Sequence, residues 1–384
     1  MATAYKRFSD GNFTKKIVAV RADLDVPMSN GEILDDTKIR NLIPTLLELI
    51  KAQSKVVILA SLGDQIGEYK DENSLMQVRF AIGNLLAKSV KFVDVANCDN
   101  SIKFMDFGEV LVLENLNFHA EEFKGKPEAK EQFMEKITTY CNYFVNEGFG
   151  LDHSLASIGV LEAKLESFYG LSYQKDLDCV EKMKEGFKEP SVLILGGEAR
   201  LDKVSQFKKV VTKFNQILVG GEISLYFLAA KGVKVGKTKL DEKVLKKVEE
   251  LIKLIESKKI HMVLPVDHIV SESLDGPQGT DIDVQVVPSN KYVVDIGEKT
   301  LVLFREIIEA AKTIAWYGPV GRYEVEEFNR GTESVGEYIA LSAGKDCVKV
   351  ALGTSTLVAI NKLKVKQKRF SCLIPNAAAY LDLA

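Results

Sequence analysis

The 384-residue chain is short of the residues that usually carry reactive chemistry: one tryptophan, four histidines and five cysteines. Cys98, Cys141, Cys179, Cys347 and Cys372 are odd in number, lack CxxC spacing and lie mostly in apolar runs. They read as reduced, packed thiols, which excludes a disulfide scaffold or a zinc ribbon. His119, His153, His261 and His268 have no metal-ligand spacing, and no Ser–His–Asp arrangement is legible. No stretch is apolar enough for a signal peptide or a bilayer span. An excess of positive charge is also missing, since the net charge is −3. The expectation is a cytoplasmic, monomeric protein with no nucleic-acid or membrane partner. The most basic run, Lys362, Lys364, Lys366, Lys368 and Arg369, reads as a solvated connector.

What the chain does contain is 46% hydrophobic residues, enough for two or three domains with real cores. Short apolar runs alternate with helical patterns. "IVAVRADLDV", "KVVILASL", "VKFVDV", "EVLVLENL" and "YFVNEG" read as strands in the first 150 residues, with helices over Thr37–Ala52 and Glu128–Cys141. "SVLILGG", "QILVGG", "HMVLPVDH", "TIAWYG" and "VKVALGT" repeat the style. Near-continuous apolar strands separated by helices imply α/β architecture with parallel sheets covered on both faces. The boundary is placed at Ser172–Gly186, where Ser172 is positioned to cap a helix with an apolar stripe of Leu177, Val180 and Met183. That gives a first lobe over 1–171, an interdomain helix over 172–187 and a second lobe over 188–370. Residues 371–384 form a closing segment. Functional groups then belong at the carboxyl ends of the strands.

Two motifs are decoys. "GVKVGKT" (Gly232–Thr238) is one residue short of a phosphate loop and follows a helical pattern rather than a strand. "DFG" at Asp106–Gly108 has none of the protein-kinase elements that should accompany it. The stretch "VALGTSTLVAINKL" is more informative. It runs from strand to loop to helix at a place where phosphates dock in open α/β folds, yet it holds one glycine and no acid. Gly353 supplies the turn, and Thr354, Ser355 or Thr356 is expected to cap the helix.

Nine phrases in order resemble the phosphoglycerate kinase family: "VRADLDVP", "DDTKIR", "KVVILASLG", "VLVLENLNFHAEE", "YFVNEGFG", "LILGGEARLDKV", "ILVGGEISLYFL", "LPVDHIV" and "WYGPVGRYEVEEFNRGT". The resemblance implies two Rossmann-like, doubly wound lobes joined by a hinge helix, with the chain end near Ala379–Ala384 at their junction. The first lobe would bind 3-phosphoglycerate and the second Mg-ATP. Phosphoryl transfer between such anionic ligands asks for positioning and positive charge rather than covalent chemistry.

The expected charges are largely replaced. Arg21 and Asp23 match the family pattern; Asp25 stands for an asparagine and Lys38 for the catalytic arginine, which removes bidentate geometry. Ser61 replaces a histidine, while Asp64, Asn117 and Ser154 replace arginines. The candidate catalytic pair is therefore Arg21 and Lys38, as remnants, with Arg21, Asp23 and Asp25 at the acceptor substrate. In the second lobe Gly196, Gly197, Lys203, Gly220, Gly221 and Glu324 match a nucleotide site. Ala199 replaces a lysine there, with Arg200 beside it, and Glu222 replaces a glycine. Tyr317 stands for an asparagine. In the family's "GGGDT", Ser355 takes the place of the magnesium-binding aspartate, and Asn376, Ala377 and Ala378 occupy a second glycine triplet.

Each lost charge-assisted bond to a phosphate removes about 1.5–3 kcal/mol. Three or four such losses remove ~5–10 kcal/mol, against ~4 kcal/mol for millimolar binding. Serine is also a poor ligand for a hard cation. The leading expectation is thus a catalytically inactive family member that binds or scaffolds a protein partner, with weak ATP or ADP binding, no metal and no firm cofactor. The alternative is a divergent active phosphoglycerate kinase of glycolysis. A third is a cleft for a less anionic ligand, with Tyr317 available for stacking.

Overall fold

A computed structural model describes residues 5–276, 279–283, 287–375 and 377. Contacts divide the chain into two compact units, Met1–Asp178 and Cys179–Ala384. The first holds a six-stranded parallel sheet. Its strands are β1 (Ile17–Ala22), β2 (Lys55–Leu59), β3 (Lys91–Val93), β4 (Val110–Leu113), β5 (Tyr143–Glu147) and β6 (Glu166–Tyr169), in the spatial order β3-β4-β2-β1-β5-β6. The chain winds outward from β1 on one side and returns to β5 on the other. The switch point therefore lies beside β1.

Both faces of this sheet are covered, and the sequence shows why. Val18, Val20, Val56 and Ile58 face one core, whereas Ala19, Val57 and Leu59 face the other. Successive side chains on a strand point to opposite faces, so a strand between two helical layers must be apolar throughout. The helix Thr37–Lys51 buries Ile39, Leu42, Leu46 and Leu49, spaced by three and four residues, on the first of these cores. The helix Pro127–Tyr140 starts on proline, whose fixed φ and missing N–H suit a first turn.

The second unit repeats the plan. Its strands are β7 (Ser191–Leu195), β8 (Gln216–Val219), β9 (His261–Val263), β13 (Thr313–Tyr317), β14 (Val348–Leu352) and β15 (Cys372–Ile374), ordered β9-β8-β7-β13-β14-β15 and all parallel. Here the switch point lies between β7 and β13. Beside this sheet, β10 (Asp267–Ser271), β11 (Thr280–Asp283) and β12 (Tyr292–Ile296) form an antiparallel sheet ordered β11-β10-β12. The phrase "HMVLPVDH" is thus two strands rather than one. Pro265 has no N–H to give a ladder, and the chain leaves the main sheet at that point.

The helix Leu171–Gly186 spans the division between the units. Ser172 lies inside its first turn and is not its cap. Glu147, at the end of β5, does that work: its carboxylate accepts the Ser172 and Tyr173 amides at 3.2 and 3.0 Å, and Thr45 Oγ1 donates to it. Carboxyl oxygens brought in by β5 satisfy the free amides as a cap would. Residues 372–374, assigned from sequence to the closing segment, form the edge strand of the second sheet. Asn376, Ala378 and Ala379–Ala384 lie outside the described residues. All five cysteines are buried, and none is in a disulfide. Burial pushes the Cys98 and Cys347 thiols up to about 11.

Candidate active site

In the first unit, Arg21 is the penultimate residue of β1, at the switch point, and is 1% exposed. A guanidinium has five N–H donors, and four hydrogen bonds run from this one to protein oxygens, with a carboxylate close by. Nε donates to Ser157 Oγ (2.8 Å); Nη1 donates to the carbonyls of Ala22 (2.6 Å) and Leu59 (3.5 Å). Nη2 donates to Ser61 Oγ (2.9 Å) and pairs with Glu122 Oε1 at 3.8 Å. Glu122 is fully buried and also accepts from the amide and hydroxyl of Ser157. Burial lowers the arginine's pKa and raises that of the glutamate, and their mutual attraction opposes both shifts. The result is an internal ion pair at the carboxyl end of β1.

Around it, Lys38 Nζ binds Asp23 Oδ1 at 2.8 Å, both side chains less than one-fifth exposed. Asp23 accepts the Asp25 amide (3.3 Å), and Asp25 accepts the Gly63 amide (2.9 Å). Asn117 Nδ2 donates to the Gly63 carbonyl at 2.5 Å, and Asn115 fastens Leu62 from both its amide and its carbonyl. Ser61, Asp25 and Asn117 are therefore braces of the loop after β2. The structure brings Arg21, Asp23, Asp25, Lys38, Ser61 and Asn117 into one connected set; Asp64 and Ser154 are exposed beyond it. Glu122 and Ser157, which complete the set, carried no signal in sequence beyond their types.

In the second unit the glycines meet backbone to backbone. The amides of Gly196, Gly197, Gly220 and Gly221 donate to the carbonyls of Tyr317, Pro319, Leu195 and Val320 at 2.8, 2.6, 2.8 and 2.8 Å. A phosphate loop presents such amides to its ligand; these four are spent on the fold. Gly221 has φ +63°, and an added Cβ would stand 2.5 Å from the Gly197 nitrogen. Gly318, unremarked in the sequence beyond its place in "WYGPVG", packs on the same loop: a Cβ there would stand 2.2 Å from the Gly196 carbonyl oxygen.

Lys203 Nζ donates to the Gly196 carbonyl at 2.6 Å and lies 4.7 Å from the centre of the Tyr317 ring. Burial pulls its pKa down to about 8, against the attraction of Glu198, Asp202 and Glu222. Tyr317 packs edge-on to Phe207, 5.4 Å between ring centres, and its hydroxyl meets Gln206 Oε1 at 3.3 Å. Burial pushes its phenol up to about 12. The same ring lies over Gly353. Arg200 forms a double contact with Asp202 at 3.2 and 3.1 Å. Glu324 is exposed, and its carbonyl accepts Lys362 Nζ at 2.7 Å.

The loop "LGTST" follows β14. Gly353 is the helix N-cap, with φ +86°, and no hydroxyl caps the helix Thr354–Lys362. Thr356 instead donates to the Leu352 carbonyl (2.6 Å) and accepts the Gly318 amide (2.8 Å), tying β14 to the loop after β13. The residues present do not fit a magnesium nucleotide. At the position for a metal carboxylate stands the Ser355 hydroxyl, and Glu198 and Glu222 set negative charge near the glycine loops, each acting on Lys203. Among the described residues no group of three or more His, Cys, Asp and Glu is placed to hold a metal ion.

Fold and site together define an α/β protein of two doubly wound units, each with its candidate residues at the strand switch point, as ligand-binding folds of this kind place them. A sequence model of the family "Phosphoglycerate kinase" matches residues 8–383. Phosphoglycerate kinase of Borrelia turicatae is 32% identical over 369 residues, covering 94% of this chain and 92% of that protein. That of Brucella melitensis is 33% identical over 386 residues, covering 98% and 96%. The crystal structure of phosphoglycerate kinase from Pyrococcus horikoshii superposes with a TM-score of 0.82 at 27% identity, covering 99% of this chain and 95% of that one. The structure from Coxiella burnetii gives 0.75 at the same identity and coverage. The chain belongs to the phosphoglycerate kinase family. No helix among the described residues is long and apolar enough to cross a membrane.

Proposed function

We propose that this family member has lost phosphoryl transfer between 1,3-bisphosphoglycerate and ADP, and that it acts by binding, with a protein as its partner. The observation that carries this reading is Arg21, buried with four hydrogen bonds to the protein's own oxygens and its charge paired with Glu122. Freeing it for a substrate would strand Glu122, a buried carboxylate, without its cation, which costs about 3–5 kcal/mol. The committed glycine amides and the Ser355 substitution support the same reading in the second unit. Adenine nucleotides then bind weakly, with no contribution from magnesium.

A second reading has its own support. The relatives are named phosphoglycerate kinase and match nearly the whole chain, Arg21, Lys203 and Glu324 match the family pattern, and Lys38 keeps a charge at the arginine position, which favours a divergent active enzyme of glycolysis. One assay separates the two: ATP formation from 1,3-bisphosphoglycerate and ADP by the purified chain. A rate no greater than the protein-free control is expected. Turnover at about 1–100 per second, the usual range for kinases, would overturn the proposal and assign the second reading.

A further inference from the structure

The first unit has a second distinctive face, at the amino ends of its strands and so opposite to the switch-point loops. Three segments are hydrogen-bonded together there: the Lys15 amide to Ala52 (3.1 Å), the Lys55 amide to Lys16 (2.9 Å) and the Gly108 amide to Ser54 (3.0 Å). Two phenylalanines stand out from them, Phe104 at 69% and Phe107 at 49% exposure. The ammonium groups of Lys15 and Lys55 lie 5.8 and 5.2 Å from the centre of the Phe107 ring. Lys103 lies 5.5 Å from that of Phe104, and Lys16 lies 5.8 Å from Tyr143 at the start of β5. Lys88 Nζ donates to the Gly108 carbonyl at 3.1 Å. Two acids belong to the same turn. Glu109 is already paired with Lys91 at 2.5 Å, and Asp106 is exposed.

We propose that this face docks on a membrane surface of anionic lipid headgroups, with Phe104 and Phe107 entering the interfacial layer. Bare aromatic rings on a turn leave water most readily in such a layer, while lysine ammoniums beside them stay at headgroup level. The kind of cation separates this partner from others. The five cations in these ring and carbonyl contacts, Lys15, Lys16, Lys55, Lys88 and Lys103, are all lysines, which protein–protein interfaces disfavour, and none is an arginine that would read carboxylates or bases by its planar fork. A diffuse sheet of phosphates asks only for point charges. Neither a negative total charge nor the lack of a spanning helix bears on a surface dock. The inference does not rest on the kinase reading, because the face and the switch-point loops lie at opposite ends of the strands.

The test is flotation of the full chain with vesicles of phosphatidylcholine, with and without phosphatidylserine. Binding is expected only where phosphatidylserine is present. Lys15→Gln with Lys55→Gln should lower the partition coefficient about fivefold per lysine, the value of roughly 1 kcal/mol for a basic side chain near an anionic surface. Phe104→Ser with Phe107→Ser should lower it about tenfold or more. The lysine pair contributes nothing to either core, so it decides the matter if the phenylalanine pair fails to fold. Absence of binding, equal binding to both vesicle types, or binding unmoved by the lysine variants would overturn the proposal. So would preference for a single-stranded oligonucleotide or an acidic polypeptide over the vesicles.

Discussion

Gly353 lies beneath the ring of Tyr317, so close that a Cβ on the glycine would stand 2.8 Å from Cε2. The two residues close the strand-to-helix turn that in sequence reads as a phosphate loop. Gly353→Ala should therefore lose stability twice over, through the clash and through a φ of +86° that alanine resists. The loss should be about 2–4 kcal/mol by urea unfolding. In a Tyr317→Ala background only the backbone part remains, about 1 kcal/mol. Equal losses in both backgrounds would show that the ring does not set the constraint.

Arg21→Met should destabilise the first unit by about 3–5 kcal/mol, since it strands Glu122 without its cation. Arg21→Met with Glu122→Met should recover most of that loss. Calorimetry with 3-phosphoglycerate should show no binding at millimolar concentration for the wild type or either variant. Micromolar affinity in the wild type, lost with Arg21, would restore the arginine to a substrate role.

Glu147 predicts a pH dependence. Burial pushes its carboxyl up to about 7, and the hydrogen bonds from Thr45 and the helix amides only partly offset this. The folded state therefore keeps a proton that the unfolded chain loses. The associated stability is fully present below the unfolded pKa of ~4.5 and is lost as pH rises through 7. Glu147→Gln should remove this slope, seen as a smaller fall in the urea midpoint from pH 4.5 to pH 8. Asp295 supplies a second case, since burial pushes its carboxyl up to about 7 as well. An unchanged slope in the Glu147 variant would disprove the assignment.

Lys203 works in the opposite sense. Burial holds its amine near 8, so the unfolded chain binds more protons than the folded one between about pH 8 and pH 10.5. Stability should rise with pH across that window. Lys203→Met, which removes a desolvated charge, should flatten the rise and be neutral or stabilising near pH 7. A large loss of stability at pH 7 would mean that the ammonium, rather than its methylene stem, anchors the loop.

Titration of ATP, ADP and adenosine should give similar, weak affinities that magnesium leaves unchanged. The four glycine amides are committed within the protein, and Ser355 offers no carboxylate to a metal. Much tighter ATP binding with magnesium, abolished by Ser355→Ala, would make this loop a metal-phosphate site.

Much of the architecture was legible because parallel strands between helices are apolar on both faces; hence "KVVIL" and "SVLIL" announce themselves. Local periodicity also located the helix Thr37–Lys51. What stayed hidden was decided by residues distant in sequence. Glu147 displaced Ser172 as the cap because β5 brings a carboxylate to the helix start. Thr356 turned from capping its own helix to accepting the Gly318 amide, since β13 runs beside β14. At the site, residue types marked what had been replaced. That Arg21 faces Glu122 and Ser157 emerged only from the packing of the turn Ala120–Glu122 and the helix Ala156–Lys164.

The interlocked glycines at the second switch point set how this chain can drift. A side chain facing open space can be exchanged alone. Gly196, Gly221 and Gly318 cannot, because a methyl on any of them would stand within 2.5 Å of the backbone of another glycine of these loops. Such a glycine pattern therefore outlasts changes in the residues around it. A glycine pattern of this kind dates the scaffold, while the history of the activity is written in the residues around it.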